Sequence, residues 1–278
     1  MRLAALQMTA GVSSGANLDR LEALTERAVE AGARYVLSPE MSVSFAENRE
    51  TLKAENTAEA VAAAQKRLAA LARARSIFFH LGSMAVPVEG GRFANRSILF
   101  GPDGRIVGQY DKIHLFDADI AGDDAYGESA TYRAGDEAVV LRLPEARLGM
   151  SICYDVRFAG LYSRMAAAGA DLFAIPSAFT VPTGEAHWSV LLRARAIENG
   201  AYVVAAAQAG THENGRNTYG HSMIIDPWGR VLAESAIDGE DVIVADMDPE
   251  VVAETRQRVP SLANMRGFSL SVNHDLSS

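Results

Sequence analysis

Short apolar runs of strand length alternate with helix-length stretches along the whole of this 278-residue chain. No linker, repeat or low-complexity segment interrupts the alternation. A strand buries a face and a helix buries a stripe, so such a chain has few solutions other than helices layered on sheet. Leu3–Met8 reads as a strand. Asn17 follows as the expected N-cap of a helix running to Gly32, on which Leu18, Leu21, Leu24 and Ala28 share one face. Tyr35–Leu37 is a strand ending at Ser38-Pro39-Glu40. Thr57 to about Arg75 is Ala-rich and helix-favouring, and Ile77–Val86 returns to strand.

The next section reads as a β-meander. Arg92–Phe100 and Arg105–Tyr110 flank the turn Gly101-Pro-Asp-Gly104. Val139–Leu143 and Leu148–Cys153 frame a second hairpin at Pro144-Glu145. Helices are expected at about Leu161–Ala168 and Glu185–Asn199, with strands at Leu172–Pro176, Tyr202–Gln208 and Met223–Ile225. After the turn Asp226-Pro-Trp-Gly229, Val231–Ala236 and Val242–Met247 are expected to close the sheet. Residues 1–278 read as one domain of α/β class.

Charge excludes some functions. The net charge is −9, from 26 basic and 35 acidic residues, and no Lys/Arg-rich run appears, so nucleic acid is not an expected partner. No run approaches the ~18 apolar residues of a membrane span, and Met1–Met8 is too short an apolar stretch for a signal peptide. Cys153 is the single cysteine, which leaves no intramolecular disulfide. The sequon Asn95-Arg96-Ser97 reads as chance in a chain expected to be cytoplasmic.

Few residues offer chemistry. Cys153 lies in Leu148-Gly-Met-Ser-Ile-Cys-Tyr-Asp155, an apolar strand that turns polar just after the cysteine. It is either a small buried hydrophobe or a nucleophile at a strand end, before a helix whose N–H groups face an oxyanion. Glu40 ends the second strand, where a carboxylate is ordinarily solvated; Pro39 and apolar neighbours would instead desolvate it toward general-base range. Lys112, in Gln109-Tyr-Asp-Lys-Ile-His-Leu115, would ordinarily be a surface cation, and Glu128 a loop charge. Together they answer what thiol attack on an amide needs: a base, a fixed cation for the oxyanion and a proton donor for the departing amine. No papain-like cysteine context, zinc constellation or phosphate-cradling glycine loop is present, and no metal or organic cofactor is expected.

Three segments carry a resemblance. Ser38-Pro39-Glu40, Tyr110-Asp111-Lys112-Ile113-His114-Leu115 and Ile152-Cys153-Tyr154-Asp155-Val156-Arg157-Phe158 resemble the signature blocks of the nitrilase (carbon–nitrogen hydrolase) superfamily, in its order Glu, Lys, Cys. Glu128 matches that family's additional acidic position. Similarity extends through Pro176–Phe179, Thr183–Trp188, Arg193–Asn199 and Gly220–Gly229. Three departures stand out: Ser38 where Phe is common, Ala159-Gly160 for a frequent Pro-Glu, and Glu185 for a common Pro.

The resemblance implies a four-layer α-β-β-α sandwich, dimerised through a helical face, and a small-molecule amide substrate. Within the superfamily the chain is most similar to the Nit amidases, leaning to the deaminated glutathione amidases, which serve metabolite repair, over the omega-amidases. A non-catalytic scaffold is the alternative of a different class. On this resemblance Glu40 is base and acid, Cys153 the nucleophile, Lys112 and the Tyr154 N–H the oxyanion holders, and Glu128 the orienter of Lys112 or water. Tyr154, Phe179, Thr180 and His187 are expected to line the substrate site. Arg157, Arg193 and Arg195 are candidates to meet substrate carboxylates. Arg195, Glu198 and Asn199 read as structural.

Overall fold

The computed structural model describes residues 1–46, 48–118 and 126–272. In its first half the chain runs β1 (Arg2–Gln7), α1 (Ser14–Glu30), β2 (Tyr35–Leu37), α2 (Arg49–Glu55), α3 (Ala58–Arg75), β3 (Phe78–Val88), β4 (Arg92–Phe100) and β5 (Ile106–Asp111). Two short strands, β6 (Asp117–Ala118) and β7 (Tyr126–Gly127), lead to β8 (Val140–Arg142) and β9 (Arg147–Met150). Then come α4 (Ala159–Ala167), β10 (Leu172–Ala174), α5 (Val181–Asn199) and β11 (Tyr202–Ala205). The hairpin β12 (Ala209–Thr211) and β13 (Asn217–Tyr219) precedes β14 (Met223–Ile225), β15 (Val231–Glu234), β16 (Asp241–Asp246) and α6 (Pro249–Arg258).

The strands form two six-stranded sheets, ordered β16-β1-β2-β3-β4-β5 and β15-β14-β11-β10-β9-β8. Read from β16 and from β8, both sheets pair antiparallel, parallel, parallel, antiparallel, antiparallel. The chain thus builds one topology twice without a sequence repeat. The last two strands do not close one sheet as expected: β15 edges the second sheet, while β16 joins β1 in the first.

Period two along β1 creates the layers. Leu3 and Ala5 point into a core shared with the second sheet, whereas Ala4 and Leu6 face the apolar stripes of α1 and α3. Helices α4 and α5 cover the second sheet from outside, packing Tyr162, Met165, Trp188 and Leu192 onto it. The result is the expected α-β-β-α sandwich. Both faces of the central strands are buried, which is why they read as unbroken apolar runs.

Local chemistry moves several boundaries. Helix α1 starts at Ser14 after Ser13. Asn17 is therefore inside the helix and buried; its side chain clasps Gly11 at 2.8 Å through both N–H and C=O and donates to Val43 O at 3.0 Å. Thr57 caps α3 as its hydroxyl accepts from Ala60 N–H at 3.2 Å. Helix α5 begins at Val181 rather than Glu185, with Pro182 in its first turn. Strand β9 stops at Met150, so Cys153 opens a 3₁₀ turn of its own.

Candidate active site

Three loops at strand ends converge. The first follows β2 and carries Glu40. Its carbonyl accepts from Gln208 Nε2 at 2.9 Å, and Met41 just after it is held at φ +53°, its N–H on Ser83 Oγ at 2.9 Å. Gly82 is the close-approach point beneath this loop. A Cβ there would lie 2.0 Å from Ser38 O, 2.4 Å from Pro39 O and 2.6 Å from Pro176 Cβ, so no larger residue fits without moving backbone. Ser38 suits this crowding: its hydroxyl accepts from Gly82 N–H at 2.9 Å and meets Ser42 at 3.0 Å.

The second loop follows β5, where Lys112 N–H donates to Asn95 O at 2.9 Å. The third follows β9. There Cys153 takes φ +48° and donates its N–H to Pro176 O at 2.8 Å. A left-handed non-glycine residue costs on the order of 1–2 kcal/mol, which the surrounding hydrogen bonds must offset. Asp155 supplies most of them. Fully buried, it accepts from Tyr110 Oη at 2.7 Å, Ile152 N–H at 2.8 Å, and His114 N–H and Nδ1 at 3.1 and 2.7 Å. One carboxylate therefore ties the cysteine turn to both sides of Lys112.

Glu40, Lys112, Glu128 and Cys153 all line one cavity of about 820 Å³. Lys112, only 2% exposed, donates from Nζ to Glu40 Oε1 at 2.9 Å and to Glu128 Oε2 and Oε1 at 3.0 and 3.1 Å. Phe116 N–H fixes Glu128 at 2.7 Å. Asn95 Nδ2 bridges the two carboxylates, at 2.9 Å to Glu40 and 3.2 Å to Glu128. Burial alone would lower the Lys112 pKa, but Glu128 and Glu40 outweigh it and hold the ammonium charged. Burial, then the Glu40 charge, pushes the Cys153 thiol well above its usual range, while Lys112 and the Ala178 N–H pull the other way. The resting sulfur is thus a thiol beside the Glu40 carboxylate. Such a group can attack a carbonyl only as its proton passes to that neighbour.

Of the four residues expected around the substrate, Thr180 lines the cavity, where it caps α5 and meets Thr183 at 2.8 Å. Tyr154 stands edge-on to Phe116 and Phe158, with ring centroids 4.9 and 5.3 Å apart. Phe179 packs on Trp188 at 4.8 Å. Neither these two nor His187 is among the residues that line the cavity. Because Trp188 takes the buried side of α5 and donates to His221 O at 2.7 Å, His187 is turned to the exposed side, where Nδ1 meets Arg157 at 3.2 Å. Glu185 is exposed on the same helix. The candidate cations are also engaged elsewhere: Arg193 Nε on Gly229 O at 2.9 Å, Arg195 Nε on Val156 O at 2.8 Å, and Arg157 over the Tyr154 and Phe179 rings. Arg195 thus pins α5 to the cysteine turn.

Asn95 reads from the sequence only as a sequon, and Asp155 only as part of the cysteine block. Asn95 is 1% exposed, so its sequon is inaccessible in the folded chain. The available signal was a polar side chain in phase with buried Phe93 and Ser97 on β4. Among the described residues no group of three or more His, Cys, Asp or Glu is placed to hold a metal ion. Nor is any helix there long and apolar enough to cross a membrane.

Comparison with known proteins agrees with this geometry. The carbon–nitrogen hydrolase family matches residues 2–257. The deaminated glutathione amidase of Synechocystis sp. is 41% identical over 263 residues, covering 93% of this chain and 96% of the relative. The omega-amidase NIT2 of Xenopus tropicalis is 37% identical over 266 residues, covering 93% and 92%. The crystal structure of the C. elegans NitFhit protein superposes with a TM-score of 0.87 at 37% identity, covering 95% of this chain but only 65% of the longer NitFhit chain. With its sandwich of two like sheets and an acid–lysine–cysteine cluster at their strand ends, the chain belongs to the carbon–nitrogen hydrolase family, as an amidase of the Nit branch.

Proposed function

We propose that this amidase hydrolyses a short ω-amide of a 2-oxo acid through a thioester on Cys153. The observation that carries the mechanism is the Lys112 ammonium clamped between Glu40 and Glu128 beside a protonated, buried thiol. Glu40 takes the Cys153 proton as sulfur bonds to the amide carbon and the carbonyl pair moves to oxygen. Lys112 and the Tyr154 N–H hold that oxyanion in a site screened from water. The tetrahedral centre collapses, the C–N bond breaks, and Glu40 returns the proton to the departing nitrogen. Water then bonds to the thioester carbon as Glu40 takes its proton, the C–S bond breaks, and Glu40 returns the proton to the Cys153 sulfur, releasing the acid, which ionises to a carboxylate. Glu128 keeps Lys112 oriented. A scaffold without catalysis would have no use for a cation buried at this cost.

For the substrate we favour deaminated glutathione, whose departing amine is cysteinylglycine, over α-ketoglutaramate, which releases ammonia. The cavity of about 820 Å³ supports this, because ammonia needs little room. The test is kcat/KM for the two compounds with a simple nitrile beside them. Deaminated glutathione should lead by at least roughly tenfold, the low end of what pocket shape delivers; a reversed ratio would make the enzyme an omega-amidase by preference. A homodimer belongs to the same proposal, supported by Val190, Ile197 and Trp228, which expose 68%, 51% and 43% of their surface on and beside α5. A cytoplasmic setting, expected from the single cysteine, completes it.

A further inference from the structure

The cavity over Cys153 has two ends of different charge. At its floor two carboxylates, Glu40 and Glu128, surround the Lys112 ammonium. The remaining charged residues that line it, among those described, are Arg49 and Arg216. They come from separate elements: Arg49 opens α2, and Arg216 sits in the turn between β12 and β13. The Arg216 guanidinium lies over the ring of Phe45, with Cζ 5.6 Å from the centroid, and Phe45 is itself cavity wall. Phe45 belongs to the loop that carries Glu40, and Met41, Ser44 and Phe45 of that loop all line the cavity. Tyr132 Oη reaches Met41 Sδ at 3.9 Å, and Met41 adjoins Glu40. The cationic end is therefore continuous with the Glu40 side of the site. Tyr154 and Arg157 stand apart from it, in the turn that carries Cys153.

This asymmetry decides which half of a substrate meets the cations, given the proposed roles of Glu40 and Cys153. Glu40 must protonate the departing nitrogen, so the leaving amine lies on the Glu40 side and its substituent extends toward Arg216. We propose that Arg216, seconded by Arg49, binds a carboxylate carried by the leaving amine, so that the enzyme is built for amides whose amine is an amino acid or short peptide. Asn214 and Thr218 line the same end and brace the hairpin that carries Arg216, Asn214 Nδ2 donating to Phe45 O at 3.0 Å and Thr218 Oγ1 meeting His212 Nε2 at 2.7 Å. A guanidinium suits this task because its planar fork matches a carboxylate.

The experiment compares three substrates: deaminated glutathione, the same compound with its C-terminal carboxylate converted to a carboxamide, and α-ketoglutaramate. A hydrogen bond to a charged group is worth about 1.5–3 kcal/mol, so Arg216→Gln should lower kcat/KM for deaminated glutathione by roughly 10–150-fold, mainly through KM. Turnover of the carboxamide and of α-ketoglutaramate should stay within about threefold of wild type, which also reports an intact site. Arg157→Gln should not discriminate between the carboxylate and the carboxamide. Equal losses on all three substrates in Arg216→Gln, or a carboxylate-selective loss in Arg157→Gln instead, would overturn this assignment and leave the amidase reading standing. Failure of the wild type to turn over any of the three would remove both.

Discussion

Asp155 is the residue at which stability and catalysis are most tightly joined, and Asp155→Asn separates the two in one experiment. The carboxylate accepts four hydrogen bonds, two at each oxygen. An amide of the same shape keeps one acceptor oxygen and turns an NH₂ toward the other pair of donors. Facing Tyr110 and Ile152, it loses the Ile152 N–H bond, because only the tyrosine hydroxyl can rotate to accept. Facing His114, it loses the backbone N–H bond, even if the ring changes tautomer. Either way one buried N–H goes unpaired, at about 1–3 kcal/mol, and the surviving bonds lose their charge assistance. The total is about 3 kcal/mol, read as a fall in urea midpoint with an unchanged m-value. Because the lost bonds link the cysteine turn to Tyr110 and His114 on either side of Lys112, a displacement of ~1 Å should also cost kcat up to ~100-fold. Alkylation of Cys153 by iodoacetamide passes through no oxyanion and should slow far less. A variant within ~0.5 kcal/mol of wild type, or one whose alkylation falls in step with kcat, would refute the assigned role.

Four further outcomes are expected. Cys153→Ala should abolish turnover without unfolding the chain, and wild type quenched during turnover should carry an acyl group on Cys153 by mass spectrometry; substantial activity in the alanine variant would exclude the nucleophile. Lys112→Ala should lose ~10²–10³-fold in kcat, as for one oxyanion donor, and Lys112→Arg should rescue poorly, whereas a change in KM alone would make Lys112 a binding residue. His80, buried between Tyr35 and Ser97, has its pKa lowered by burial to about 3. Its contribution is therefore complete above the unfolded value near 6.5 and is lost as pH falls toward 3, at up to ~1.4 kcal/mol per pH unit. His80→Gln should flatten the urea midpoint between pH 6.5 and 4 relative to wild type, and coincident slopes would contradict this. Light scattering at micromolar concentration should return a dimer mass; a stable monomer would leave the exposed face of α5 unexplained.

The sequence revealed strands and long helices well because their apolar spacing is set by burial, which acts on every residue of an element. Thr57, Gly104 and Gly200 mark true boundaries by local chemistry alone. Helix α2 has seven residues and one buried position, Leu52, too little for periodicity to detect. Pro182 and Asp248-Pro249 are local signals for the starts of α5 and α6. At the site, Glu40, Lys112 and Cys153 were legible because they sit in distinctive segments, and only the tertiary fold explains why a lysine there stays charged. Asn95, Asp155 and Arg216 were not legible. Apart from the Asp155–Ile152 bond, each acts through partners 33 or more residues away in sequence, and no local pattern records such a meeting.

The pairing of β1 with β16 bears on how the protein is made. Arg2 grips Asp246 across 244 positions of sequence, at 2.9 and 2.7 Å, and Met1 meets Met247. At ribosomal speeds of about 5–20 residues per second, roughly 12–50 s separate the appearance of β1 from that of its partner. Throughout that interval β1 is an apolar edge strand with unpaired N–H and C=O groups, the kind of surface on which nascent chains cross-pair. Helix α1 is synthesised at once and covers one face, but the edge itself waits for nearly the entire polypeptide. Truncations that remove β16 should therefore aggregate during translation, and chaperone demand in the cell should track elongation rate more closely than native stability.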